Sequence, residues 1–493
     1  MSESELPSYA ELAGLVGELR AELSQVRTEL AAARVEIAEL RAENTTLRAE
    51  STELRRQLGM NSRNSSKPPS SDGLAKPKSL RKPSGRGPGK PKGSPGGALL
   101  QVETPDRTLV HAPLACAGCA GEPADAEVVP VERRQVFDLP EIRPRVTGHR
   151  IEHRRCPCGT TTSAAAPAGV SAPTQYGPGV RALAVYLLNR QRLPYARCAE
   201  LLADCLGVTV ATGSLLTWNE QAADAVVAHT ETVRAQLIDC DVVGFDETGA
   251  RVAGRTCWVH TACTPTLTLY CVHTKRGVKA FEAMGVLPKF TGIAVHDGWK
   301  PYKTYTGAAH ALCNAHHLRE LAGTVDNAHP DSPQERASRL ADLLVEIWDT
   351  IKDARAEPPW ADGFGLDELE RYADRYDTLI AAGRLLHPAR APGTRTKRSK
   401  TANLLDRLDS ERDQVLRFAF DWRVPFDNNR SEQAIRMVKV QQKISNGWRT
   451  IQGAERFLAM RGYLSTAAKQ GKNLLDVTRR LFDGRGAWIP TPT

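Results

Sequence analysis

Val242-Val-Gly-Phe-Asp-Glu-Thr-Gly249 is the stretch from which the fold of this chain is read. Its apolar start runs into Asp246, the pattern of a buried strand that ends in a carboxylate. Residues 257–261 and 267–273 alternate apolar and polar side chains, so short links make the three segments an antiparallel meander. Helical spacing follows over 278–284. Gly292-Ile-Ala-Val-His296 then reads as a fourth strand with Asp297 at its end, and 308–313 as a fifth. Two carboxylates at the ends of adjacent strands can share a hard divalent cation. Glu247 directly follows Asp246, but neighbours on a strand point to opposite faces, so only one reaches such a cation. The apolar run leads into Asp246, which makes Asp246 the choice.

A third carboxylate is expected on a helix packed against that sheet. Asp427-Asn-Asn-Arg-Ser-Glu-Gln-Ala-Ile-Arg-Met-Val-Lys439 supplies it. Asn428 or Asn429 is a good N-cap, which puts Glu432 in about the first turn. Arg436 and Lys439 follow at four and seven residues, on the same helical face. A carboxylate for metal followed by cations for DNA phosphate is what strand cleavage needs, because paired metals serve both the attacking and the leaving oxygen. Taken singly, an Asp at a strand end is more often a turn residue. The joint placement in one β-β-β-α-β order is the stronger signal.

The N-terminal third reads differently. Apolar residues recur every seven positions from Leu12 to Leu54 and from Val16 to Leu58, with Asn44 in the second series. Glu22, Glu29, Glu36, Glu43 and Glu50 precede Arg27, Arg34, Arg41, Arg48 and Arg55 at the spacing that pairs them across a parallel two-stranded coiled coil. A homodimer through residues 12–58 is therefore expected. Residues 61–97 hold nine Lys or Arg against one acid, Asp72, among Pro, Gly and Ser. Nothing there can build a core. Lys82, Arg86, Lys90 and Lys92 suit a basic arm on DNA, although a solubilising linker has the same composition.

Cys116-Ala-Gly-Cys119 and Cys156-Pro-Cys158 bracket a segment with strand-like runs at 134–139 and 145–153. Four thiolates in two tight turns suit tetrahedral Zn²⁺, and the second pair is closer than the common knuckle spacing. Residues 197–205 and 212–219 have helical spacing around Leu206-Gly-Val208, as in a DNA-reading helix-turn-helix or an ordinary helical hairpin. The chain of 493 residues carries net charge +9, most of it in the basic tract. No apolar run is long enough to span a bilayer, and the polar N-terminus lacks a signal-peptide layout, so a cytoplasmic, nucleoid-associated protein is expected. Eleven scattered cysteines then argue for thiols, not disulfides.

The chain resembles the large, DDE-type transposase of the insertion-sequence-66 family over nearly its whole length. The resemblance rests on Asn64-Ser-Ser-Lys-Pro-Pro-Ser-Ser-Asp-Gly73, Arg133-Arg-Gln-Val-Phe-Asp-Leu-Pro140 and Asp246-Glu-Thr-Gly249. It continues in His296-Asp-Gly-Trp-Lys-Pro-Tyr302, Cys313-Asn-Ala-His-His-Leu-Arg319 and Asp427-Asn-Asn-Arg-Ser-Glu-Gln-Ala-Ile-Arg436. It implies an α/β fold with a ribonuclease-H-like catalytic core, a triad at Asp246, Asp297 and Glu432, and Mg²⁺ or Mn²⁺. Cys313 and His316 resemble a motif of related transposases and read as active-site support or as ordinary core packing. Accessory proteins of the same element are also implied.

The expected organisation is a coiled coil (8–59), a basic linker (60–100), a zinc-binding module (101–170) and a helical DNA-binding region (175–235). A catalytic core (236–325 and 411–475) is interrupted by a helical insertion (326–410), and a tail (476–493) follows. The insertion ends in Arg390, Arg395, Lys397, Arg398 and Lys400, a basic run for DNA or a solvated loop. Trp448 reads as a base-stacking or, more simply, a core residue. The expected partner is double-stranded DNA, as transposon ends and target, and the expected activity is strand cleavage and transfer. The alternatives are a catalytically inactive DNA-binding derivative of a transposase and, more weakly, a ribonuclease.

Overall fold

The structure is a computed structural model that describes residues 8–65, 72, 99–129, 132–326, 335–356, 363–387 and 399–491. Lys82, Arg86, Lys90 and Lys92 of the expected basic arm lie outside the described residues, as do Arg390, Arg395, Lys397 and Arg398.

Helix α1 (Tyr9–Gly59) opens on a capping box between Ser8 and Glu11. A hairpin of β1 (His153–Arg155) and β2 (Thr161–Ser163) follows. Next come α2 (Pro178–Asn189), α3 (Tyr195–Leu206), α4 (Thr212–Ala225) and α5 (Val227–Ile238). Strands β3 (Val242–Val252), β4 (Arg255–Cys263) and β5 (Thr268–His273) precede α6 (Val278–Met284), β6 (Ile293–His296) and β7 (Ala309–Leu312). The chain then runs through α7 (Asn314–Asp326), α8 (Glu335–Ala356), α9 (Leu366–Leu386), α10 (Lys400–Ser410) and α11 (Arg412–Phe420). It ends with α12 (Asn429–Ser445), α13 (Ile451–Lys469) and α14 (Leu474–Arg480). Among the described residues no helix is long and apolar enough to cross a membrane.

This is a mixed α/β fold whose larger sheet has the strand order β5-β4-β3-β6-β7, with β3 to β5 antiparallel and β6 parallel to β7. The five strands match the expected segments, with one correction. β3 does not end at Asp246 but runs six residues further to Val252. The polar Thr248-Gly-Ala-Arg251 continuation is held by β4, from Thr248 opposite Val259 to Val252 opposite Arg255. A two-residue turn at Ala253-Gly254, both at positive φ, closes the hairpin.

The chain divides into two compact units. One contains α1, β6, β7 and α7 to α11. Here α8, α9 and α10 fall within residues 326–410, and Tyr376 of α9 is fully buried with its hydroxyl donating to the Leu408 carbonyl. The residues that follow α1 meet α7, where Asn64 donates to Asp326 at 3.0 Å.

The other unit contains the remaining elements. Helices α2, α3 and α4 share one core with α13 and α14, through Leu202, Leu215, Trp218, Tyr463, Leu464 and Val477. The expected DNA-binding helices thus do not stand apart from the C-terminal helices. The expected tail is also bound in, because the Trp488 carbonyl meets His229 at 2.8 Å and the Tyr463 hydroxyl accepts from Trp488 N–H. A second core joins Ala250, Val252, Val259 and Val272 of the sheet to Ile435 and Val438 of α12 and Phe457 and Leu458 of α13.

The link between α12 and α13 is stitched to the end of β3. Trp448 N–H donates to the Arg251 carbonyl and Ala253 N–H donates to Trp448, while the indole packs on Phe457. Gly447 makes this approach possible: its φ is +103°, and a Cβ there would collide with the Arg251 carbonyl oxygen. Gly447→Ala is expected to lower stability by about 2 kcal/mol through strain at that position, read by chemical denaturation. An unchanged midpoint would show that the link is free to move.

Candidate functional site

Asp246 sits in the middle of β3, where the strand changes which of its faces is covered. Val243 and Phe245 are buried on one face, while Thr248, Ala250 and Val252 are buried on the other. Alternation puts Asp246 on the second face, beyond the stretch that α12 and α13 cover most tightly. It is half-buried, and one carboxylate oxygen accepts from Glu247 N–H at 2.9 Å.

Glu247 takes the opposite face, as adjacent strand residues must. Its side chain is 2% exposed and pairs with Arg276 at 2.8 Å, and Arg276 also lies over Trp258. His260 stands opposite it in the register and is buried against Phe281. Burial, aided by the charges of His273 and Arg276, pushes His260 down to about 4. The imidazole is therefore neutral near pH 7. This face is a closed structural cluster, so Glu247 is a structural acid.

Glu432 lies in the first turn of α12. Helix α12 begins at Asn429, which makes Asn428 the residue just ahead of it, in line with the capping expectation. Ser431, Ile435 and Val438 form its buried stripe. Two contacts fix its position along β3. At one end Ser431 Oγ meets Cys263 Sγ at 3.4 Å, and Cys263 is paired with Gly244. At the other end Gln442 donates to the Gly249 carbonyl at 3.3 Å. Ser431, the neighbour of Glu432, is thereby set at the Gly244 end of the β3–β4 pair. Glu432 borders the buried stripe, while Arg436 and Lys439 are exposed beside it.

Asp297, in the other unit, immediately follows β6 and is exposed. It caps its own turn by accepting from Trp299 N–H at 2.9 Å. His296 holds that turn from within. It is fully buried, stacks on Tyr302 at 4.5 Å, and its Nδ1 accepts from Gly298 N–H. That acceptor role leaves Nε2 to donate to His310 at 3.0 Å. Burial, with His310 and Lys303 nearby, pushes His296 down to about 3, so no cation forms beside Asp297. The charge of Asp297 is felt on α7, where it adds to the burial that raises the Glu320 carboxyl, against the opposing Arg407.

Cys313 is 1% exposed and makes two contacts that bear on the acids. Its N–H donates to the carbonyl of His296, the neighbour of Asp297, and its Sγ accepts from Asn428 N–H at 3.1 Å. His316 continues the first turn of α7, donating its N–H to the Cys313 carbonyl. The sequence did not single out Asn314, which ties the Phe426 and Val415 carbonyls to α7. Its oxygen meets the fully buried His317 at 3.0 Å. Only the neighbourhood of Cys313 in the motif hinted at this.

The four cysteines of the expected metal module lie in two separate exposed turns. Backbone N–H groups of Cys119 and Gly118 lower the Cys116 thiol, and hydrogen bonds from Thr160, first from its hydroxyl, lower Cys158 to about 7. The expected strands around 134–139 and 145–153 are absent apart from β1. Val136, Leu139 and Val146 stand 81–92% exposed, with no apolar surface for the alternating side chains to cover. Beyond this segment, residues 197–208 keep the expected turn, with Gly207 left-handed at φ +64°.

The chain thus combines a mixed α/β sheet with a helix, α12, packed against it, and its residues 173–456 match the family model described as "Transposase IS66 family". By class this is a transposase. The match spans more than half of the 493 residues, and the chain belongs to the IS66 transposase family. Residues 18–99 match a second model, described as a "Family of unknown function (DUF6444)". No curated protein matches the chain.

The two adjacent acids are expected to behave oppositely. Glu247→Ala strands Arg276 and should cost about 2–3 kcal/mol, below the fully buried range because Arg276 is partly exposed. Asp246→Ala should leave the denaturation midpoint almost unchanged. Equal losses of stability would mean that both acids are structural.

Proposed function

We propose that the chain is a DDE transposase that binds the ends of an insertion sequence and catalyses metal-dependent cleavage and transfer of DNA strands. The observation that carries the reading is the packing of α12, which bears Glu432, across the sheet whose strand β3 bears Asp246, in a member of a transposase family. The strand order, three antiparallel strands flanked by a parallel pair, supports a ribonuclease-H-like core. In this reading Asp297, on the turn after β6, is the third acid.

Asp246, Asp297 and Glu432 are hard oxygen donors, the set that Mg²⁺ or Mn²⁺ takes. Bound there, such ions would stabilise the attacking and leaving oxygens of a phosphodiester displacement. The protein's own contribution is positional. Helix α12 holds Glu432 in place, His296 keeps the Asp297 turn neutral and fixed, and Cys313 ties His296 to Asn428. Arg436 and Lys439, exposed on the same helix, are placed for backbone phosphates. A catalytically inactive DNA-binding derivative is the second reading, and the presence of all three acids disfavours it.

The remaining parts are assigned in keeping. Exposed Leu12, Leu19, Leu23, Leu30, Ile37 and Leu40 on α1 support a parallel homodimer, which suits the handling of two DNA ends. The lowered thiols of Cys116 and Cys158 favour the thiolate form, and with Cys119 and Cys156 they would hold Zn²⁺. The α3–α4 pair and the basic arm would contact DNA.

In a cleavage assay on the element's own ends, Asp246→Asn, Asp297→Asn and Glu432→Gln should each abolish Mg²⁺-dependent cutting and leave end binding nearly intact. Chelation of the metal should do the same to the wild-type protein. Wild-type rates in all three variants would remove the assignment. Deletion of residues 1–58 should give a monomer in sedimentation, and a persisting dimer would refute the coiled-coil role.

A further inference from the structure

Arg461, in the middle of α13, is a buried cation with no carboxylate partner among the described residues. It is 5% exposed, and its Nε and Nη1 have no hydrogen-bond partner among the described residues. Its neighbour is the Tyr270 phenol, whose hydroxyl donates to the Ala434 carbonyl of α12. The other charged groups close to it are Arg190 and Arg192, and burial together with these like charges lowers the guanidinium. None of the three arginines makes a carboxylate ion pair among the described residues. Arg192 donates only to Met437 Sδ, and its buried Nε is also without a partner. Its backbone is left-handed at φ +61°, a conformation seldom adopted by a residue with a side chain.

Leaving a charge uncompensated in the interior is costly, and a fold retains such a group where an external counter-ion meets it. The location says which counter-ion. Tyr270 stands opposite Thr261, and Thr261 opposite Asp246, so Asp246, Thr261 and Tyr270 form one row across three strands on the α12 face. Ala434 and Met437 lie about 3 and about 7.5 Å along the helix axis from Glu432 at 1.5 Å per residue. On the helix these two residues lie on a different strip from that of Glu432, because two and five residues turn the chain by about 160° and about 140° away from it, while on the sheet Tyr270 shares the row and face of Asp246.

We propose that Arg190, Arg192 and Arg461 form a receptor for a backbone phosphodiester of the DNA strand that lies along α12. Arg461 provides planar N–H donors at the base of the site and the two partly exposed arginines line its entrance. This assignment rests on the functional reading above. It adds a second anchor that fixes the strand's register and takes no part in the chemistry.

Two measurements test it, on the full-length protein with its acids intact. The first is thermal melting in inorganic phosphate against chloride at equal ionic strength, for wild type and Arg461→Met. Phosphate should raise the melting temperature of the wild type only, and in chloride Arg461→Met should melt higher than wild type because a stranded charge has been removed. The second is the affinity for a DNA duplex across a salt series. Arg461→Met should lose about tenfold or more, with a slope of log K on log salt shallower by about 0.9. Arg190→Gln, at a partly exposed position, should show the same change in slope with a nearly unchanged melting temperature.

A lower melting temperature for Arg461→Met in chloride, with affinity and slope unchanged in both variants, would make Arg461 a structural residue and overturn the proposal. A phosphate effect without any change in DNA affinity would leave a site for the free anion and overturn the strand assignment. Loss of cleavage in the wild type would fell the catalytic reading and leave these binding results standing. If the wild type bound no DNA, the strand assignment would fall with the functional reading, and the melting arm would still decide whether an anion site exists.

Discussion

The apolar seam between α12 and the β3–β5 meander is the constraint on which the rest depends. Ile435 and Val438 are set against Ala250, Val252, Val259 and Val272, with Phe457 and Leu458 of α13 closing the same core. Each such side chain contributes about 1.5–3 kcal/mol when fully buried. The sum far exceeds what the half-buried carboxylates could provide, so the acids are placed by packing. The polar contacts then choose the register, with Ser431 on Cys263 at one end and Gln442 on Gly249 at the other. A slide of one residue along α12 would turn Glu432 by about 100° round the helix axis.

The strand beneath is asymmetric in a way that separates structural from available charge. At its N-terminal half β3 is covered on the side of Phe245, and at its C-terminal half on the side of Ala250. Asp246 and Glu247 fall at the crossover. Glu247 points into the side that α6 closes and is neutralised by Arg276. Asp246 falls on the face of the strand against which α12 packs. Two identical charges one residue apart thus receive opposite environments, and the pleat alone decides which is which.

Much of this was legible in the residues. Alternation marked the meander and the two later strands because each has one buried and one less buried face, the condition under which period-two reading works. The end of β3 was not legible. Thr248-Gly-Ala-Arg251 is too polar to announce a strand, and it is one because β4 pairs with it and Trp448 clamps its far end. The opposite error occurred around Cys116 to Cys158, where alternating Val136, Leu139 and Val146 suggest strands but meet no surface to cover. The division of helices between units was hidden as well. The core shared by Leu215, Trp218 and Tyr463 joins residues about 250 positions apart, beyond any local pattern. Arg461 gave no signal at all, because an unpaired buried cation looks in sequence like any helical arginine.

Helix α12 explains why one short motif carried so much of the reading. Its period divides the residues into strips with different tasks. Ser431, Ile435 and Val438 are buried, Glu432 stands at the border, and Arg436 and Lys439 face solvent. A helix that is apolar on one strip, acidic at the rim and basic outside keeps these properties apart only if those strips keep their angular order. That order is fixed at spacings of three and four residues. The same spacing that makes the motif recognisable as a string is therefore the spacing that the packing enforces. Ala434 and Met437 occupy a further strip, and through the Ala434 carbonyl and Met437 Sδ that strip reaches Tyr270 and Arg192. The helix that carries the acid thus also reaches the arginine cluster, from a strip on its other side.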